Sequence, residues 1–120
     1  MAVKTTTLQS GRIGIVEARG SLVGGEETDE LRNAVADFVE QGTKNLIIDL
    51  SKVTYLNSTA IGVLVSAHTT FSKNKGRVKI CGINKNISNI FVITKLTLVF
   101  DVSETREDAI AAFGEPSATA

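Results

Sequence analysis

One cysteine, one proline, one histidine and no tryptophan occur in these 120 residues, and each scarcity closes off a class of function. Cys81 has no second thiol to pair with and no nearby Cys or His in sequence to share a metal, which argues against a disulfide framework, a zinc site or a dithiol redox centre. It reads as a small core hydrophobe. Charge of one sign is missing too, since 13 Lys and Arg balance 13 Asp and Glu and leave no overall field for nucleic acid or an anionic membrane. The apolar stretches are interrupted by Asp49, Lys52, Asn57 and Lys73, short of the roughly 18–20 residues that cross a bilayer. The opening MAVKTTTLQSGR lacks the apolar centre of a signal peptide. Together these absences predict a cytoplasmic protein with no cofactor or metal and no direct contact with nucleic acid or membrane.

What is present suits an ordinary globular chain: 42% of residues are hydrophobic and 22% charged, enough for one core in a single domain over 1–120, with 114–120 as a tail. Thr5–Leu8 and Ile13–Ala18 flank Ser10-Gly11-Arg12 as a hairpin would, and Gly20–Gly25 reads as a glycine-rich bend. Leu31, Ala34, Val35, Phe38 and Val39 then fall at i, i+3, i+4, i+7 and i+8, the stripe of an amphipathic helix, with Gly42 as its terminator. Leu46-Ile47-Ile48-Asp49-Leu50 opens with a continuous apolar run, suited to a strand covered on both faces. Ser51–Leu56 reads as a connector into a second helix that opens after Asn57-Ser58 and stops at Gly76. A strand at Val78–Cys81, a helix over Asn84–Ile93, a strand at Leu98–Val102 and a helix opened by Ser103 complete the order, with Ile110 and Phe113 facing inward. The class predicted is α/β: a mixed sheet that begins with a hairpin and continues as alternating strands and helices, the helices packed against it.

The polar residues that could carry function cluster where the central strand gives way to the second helix. Asn57 or Ser58 can cap that helix, and a cap is the ordinary role of such residues. The same position also suits a phosphoserine, because a helix N-terminus presents unpaired amides and a positive dipole end. A phosphate there adds about −1.5 to −2 charges to a surface with Ala60, Ile61, Val63 and Leu64 nearby, enough to break a docked complex. Catalysis by Ser58 finds no base, since His68 lies ten residues along the helix, roughly 15 Å away, and follows the apolar stripe. Gly20, Gly24 and Gly25 lack the spacing of a phosphate-binding loop and read as a tight bend.

From Asp49 to Leu64 the sequence resembles the STAS family, with Asp-Leu-Ser ending a strand, a short connector, and Asn57-Ser58-Thr59-Ala60 in place of the family's Asp-Ser-Ser/Thr-Gly. Gly20–Arg32 and Lys79–Phe100 extend the resemblance over nearly the whole chain. The resemblance implies a STAS fold and an anti-sigma factor antagonist that is no enzyme. Its partner would be an anti-sigma factor with serine kinase activity, contacted through Asn57, Ser58, Thr59, Ala60 and Ile61. That kinase would phosphorylate Ser58, with Thr59 as the alternative acceptor, and a phosphatase would reset the switch. STAS-like domains also serve as docking pieces of membrane transport or signalling assemblies, the alternative reading. Asn57 keeps the capping ability of the family's aspartate without its charge, and Val23 stands where the family often has an acid.

Overall fold

The strand and helix patterns are realised in a computed structural model that describes residues 3–114. β1 (Val3–Leu8) and β2 (Ile13–Leu22) pair antiparallel across a short 3-10 turn at Gln9–Gly11, as the hairpin signal predicts. Then come α1 (Glu26–Glu40), β3 (Asn45–Leu56), α2 (Ser58–Lys73), β4 (Arg77–Cys81) and α3 (Lys85–Ile93). A second 3-10 turn at Leu96–Leu98 precedes β5 (Asp101–Ser103) and α4 (Arg106–Gly114). Among the described residues the sheet has five strands in the order β1-β2-β3-β4-β5, parallel at every pairing after the first.

Alternation along the parallel strands sends successive side chains to opposite faces. Leu46, Ile48 and Leu50 of β3 join the larger core with α1, α2 and α3, whose anchors include Leu31, Phe38, Leu64, Phe71 and Phe91. Ile47 points the other way into a smaller cluster with Ile13, Ile15, Cys81 and Ala109, against which Ile110 and Phe113 of α4 pack. Cys81 is therefore core, as its isolation in the sequence suggests. No helix among the described residues is long and apolar enough to cross a membrane.

Four expectations are corrected. Gly20–Leu22 belongs to β2, and the bend begins only at Val23. Ser51–Leu56 is no connector but the second half of β3. It still pairs with β2, through two register shifts that break the clean alternation by which a strand is recognised. Leu98–Val102 is mostly turn, with strand pairing confined to Asp101–Ser103. The last helix opens at Arg106 rather than Ser103, and Thr105 Oγ1 caps it by accepting from the Asp108 amide at 3.1 Å. α4 runs to Gly114, and the rest of the expected tail, 115–120, lies outside the described residues.

α2 stops before Gly76, as expected, for a more specific reason. Lys75 takes the left-handed turn at φ 64°, and a Cβ at residue 76 would collide with the Lys44 carbonyl oxygen. The helix end is thereby pressed against the start of β3, which holds α2 in place and fixes where its other end emerges.

Candidate functional site

The carboxyl edge of the sheet brings three segments together. Asn57, just past β3, donates its backbone amide to the Leu22 carbonyl of β2 at 3.1 Å. Its side-chain Oδ1 accepts from the Ala60 amide at 3.1 Å and its carbonyl from the Ile61 amide at 3.0 Å, so Asn57 is the N-cap of α2. Ser58 is the first helical residue, and its side chain and that of Thr59 are exposed. Helix geometry leaves the amides of Ser58 and Thr59 without an intrahelical acceptor, and no acidic residue stands in the first turn.

The β2–α1 loop runs alongside. Gly24 sits at φ 89°, and a Cβ there would touch the Thr59 methyl at 3.4 Å, so the loop backbone lies against the helix start. Its amide donates to Oγ1 of the buried Thr28 at 2.9 Å, which ties the bend to α1. Val23, 50% exposed, stands out from this loop as an apolar neighbour of the site. On the other side Asn84 caps α3 by accepting from the Ile87 amide at 2.8 Å and donates Nδ2 to the Val53 carbonyl at 3.2 Å. Backbone bonds and the side chains of Asn57, Thr28 and Asn84 thus hold the edge, while Val23, Ser58 and Thr59 face outward.

Of the five expected contact residues, Ser58 and Thr59 are exposed, and Asn57 and Ile61 are half-buried. Ala60 is corrected: at 0% exposure it is part of the floor, because the position after the first two helical residues turns toward the core. His68 packs edge-on against Phe100, ring centroids 5.6 Å apart, and serves the core. Among the described residues no group of three or more His, Cys, Asp or Glu could hold a metal ion.

A polar cluster that sequence reading missed lies under α4. Arg106 donates Nε to Asp49 Oδ2 at 2.9 Å and Nη2 to Glu17 Oε1 at 2.7 Å. The Ser51 amide holds Asp49 Oδ1 at 2.9 Å. Glu17 Oε2 faces Lys52 Nζ at 3.3 Å without a well-aligned hydrogen bond. Burial raises the pKa of both carboxyls. For Asp49 the bonds from Ser51 and Arg106 outweigh it, and for Glu17 the nearby charges of Lys52 and Arg106 together with the Arg106 bond, so both end below their ordinary values. Burial, with Asp49 beside it, pushes the Cys81 thiol up to about 12 and leaves it inert as a nucleophile. The one local signal was Asp49 itself, a carboxylate in an otherwise apolar strand, which burial obliges to find a cation.

Fold and site together define a small mixed α/β domain that presents a serine at a helix N-terminus on the carboxyl edge of its sheet. The chain belongs to the STAS domain family, whose model matches residues 4–109. It is similar to the anti-sigma-B factor antagonist of Staphylococcus aureus, 29% identical over 89 residues that cover 71% of this chain and 82% of the relative. Its fold is that of SpoIIAA, described as an anti-sigma factor antagonist in its unphosphorylated form. There the TM-score is 0.78 at 14% identity, over 96% of this chain and 100% of that one. The Bacillus SpoIIAA in its phosphorylated form superposes with a TM-score of 0.74 at 15% identity, over 93% and 99% of the two chains.

Proposed function

We propose that this protein is an anti-sigma factor antagonist that binds its partner through the carboxyl edge around Ser58 and is released when Ser58 is phosphorylated. The observation that carries the proposal is an exposed serine at the first position of α2, held between two loops by the Asn57–Leu22 and Asn84–Val53 bonds. The unphosphorylated edge offers hydroxyls at Ser58 and Thr59 and apolar contact at Val23 and Ile61. A phosphate on Ser58 meets the free amides of the first turn, so the helix tolerates it. A partner packed on the same surface must then desolvate about −1.5 to −2 charges, and the complex opens.

The partner in this reading is an anti-sigma factor with serine kinase activity, a phosphatase resets the switch, and the circuit operates in the cytoplasm. The protein's own role is binding, with the chemistry done to it rather than by it. Tagged wild-type, Ser58→Ala and Ser58→Asp proteins, used to capture partners from the source cytosol, test this. The wild type and Ser58→Ala should retain a kinase-like anti-sigma factor, Ser58→Asp should bind it about a hundredfold more weakly, and mass spectrometry of protein from cells should find phosphate on Ser58. Capture of the same membrane transport subunit by all three would establish a docking role and reject the switch. Phosphate on Thr59 alone would move the switch one residue along the helix.

A further inference from the structure

The balanced charge of the whole chain conceals a segregation along the sheet axis. β2, β3 and β4 begin side by side at Ile13, Asn45 and Arg77, and this amino edge lies at the end of the sheet away from Ser58. Arg12, Lys44, Lys73, Lys75, Arg77 and Lys95 gather there, all exposed. Backbone bonds tie the segments that carry several of them: the Asn45 amide donates to the Arg12 carbonyl at 3.3 Å and the Arg77 amide to the Lys44 carbonyl at 2.8 Å. Asp101, the carboxylate at this end nearest β4, is occupied by Lys79 at 3.1 Å and Arg77 at 3.5 Å. Asp37 and Glu40 close α1, which ends at this same pole four residues before Lys44, and the six exposed basic residues still outnumber these acids and Asp101 there. Exposed acids such as Glu26, Glu27, Glu104, Glu107 and Asp108 stand toward the opposite edge.

Aliphatic side chains project from the same basic pole. Ile93 is 79% exposed and Leu98 82%, with Val92 and Val99 beside them. Phe100 packs on Phe91 of α3 and His68 of α2 and so fixes both the turn that carries Leu98 and the end of α3 that carries Ile93, and their exposure belongs to the folded state. Lys75 and Lys95 follow α2 and α3 in left-handed conformations, at φ 64° and 62°. Glycine takes such helix-end positions without strain, and a lysine does not. A favourable charge at a helix C-terminus compensates part of that strain, but it does not account for the two bare aliphatic tips, Ile93 and Leu98, that flank Lys95.

We propose that this pole docks on an anionic lipid bilayer, with the basic residues against the headgroups and Ile93 and Leu98 entering the interface. Ile93 and Leu98 project into solvent, as side chains that enter a membrane interface do, whereas a peptide partner lays its apolar face into a groove. Two concavities at this end, one by Val39 and Asn74 and one by Arg12 and Gln41, take in none of the projecting aliphatic residues. The proposal stands apart from the Ser58 reading, since the docked face is at the other end of the sheet and leaves Ser58 free.

Vesicle co-sedimentation of the full chain tests it, with phosphatidylglycerol mixed equally with phosphatidylcholine against phosphatidylcholine alone. Binding to the anionic vesicles only, lost as salt is raised to about 0.5 M, is the expected result. Lys75→Gly with Lys95→Gly should lower partitioning about tenfold or more while holding or raising the thermal midpoint, because the strain is relieved. Leu98→Ser should lower it without loss of fold. Failure to sediment with anionic vesicles, equal binding to neutral ones, or undiminished binding by the glycine variant would overturn the proposal. So would self-association in sedimentation velocity that Leu98→Ser abolishes without any vesicle binding, which would mean that the tips meet a second copy of the chain.

Discussion

The two faces of the sheet are held by different physics. Among the described residues, one is covered by three helices and a broad apolar cluster, the other by α4 alone, over a few aliphatics and a network of charges. Apolar burial is indifferent to pH and tolerates small displacements, whereas the clasp of Arg106 on Asp49 and Glu17 depends on the charge of every member and on bonds near 2.8 Å. The three-helix face therefore sets the stability of the domain, and the α4 face sets how that stability responds to conditions.

The sharpest way to break this contrast is to cut a core side chain on each face. Phe71→Ala, at 1% exposure, should cost about 4 kcal/mol, whereas Phe113→Ala on α4 should cost about 1 kcal/mol, both read from urea midpoints. Similar losses would mean that the faces are equivalent. Next in size, Arg106→Met strands two largely buried carboxylates and should cost about 3 kcal/mol. It should also speed labelling of Cys81 by a thiol reagent about tenfold or more, since α4 then opens more often.

Acid gives the third comparison. Both carboxyls of the clasp titrate below their ordinary values, 4.5 for Glu17 and 3.8 for Asp49, so the unfolded chain takes up protons before the folded one does. Their contribution is present above that range and is lost as the pH falls through the folded values. Urea midpoints should be flat down to about pH 4.5 and fall below it, and Arg106→Met should flatten that fall. The smallest effect is at the site: Asn57→Ala removes the cap of α2 and should cost about 1 kcal/mol, while Asn57→Asp keeps it.

The same contrast explains what the sequence disclosed. The three-helix face was legible because its residues recur at helical spacing, as Leu31, Ala34, Val35 and Phe38 do, and Asn57 was legible as a cap because capping is a local bond. The α4 face was not, because Arg106 stands 57 residues from Asp49 and 89 from Glu17. No window along the chain contains that pairing. Ser51–Leu56 was misread because two bulges in its pairing with β2 erase the period of two. The basic pole escaped a count of charges because a sum over the chain carries no position.

The way the edge around Ser58 is tied also bears on how such a protein can change over generations. Its geometry rests on the main-chain bond from Asn57 to Leu22, on the Gly24 amide donating to the Thr28 hydroxyl, and on the Asn84 side chain reaching the Val53 carbonyl, whereas Val23 and Ser58 stand out from it and Thr59 only lays its methyl beside Gly24. Substitutions at 23 should therefore be nearly free of folding cost, and those at 59 should cost no more than the methyl's contact with the Gly24 loop. After a gene duplication, two copies could drift toward different partners at those positions while their scaffolds stayed alike.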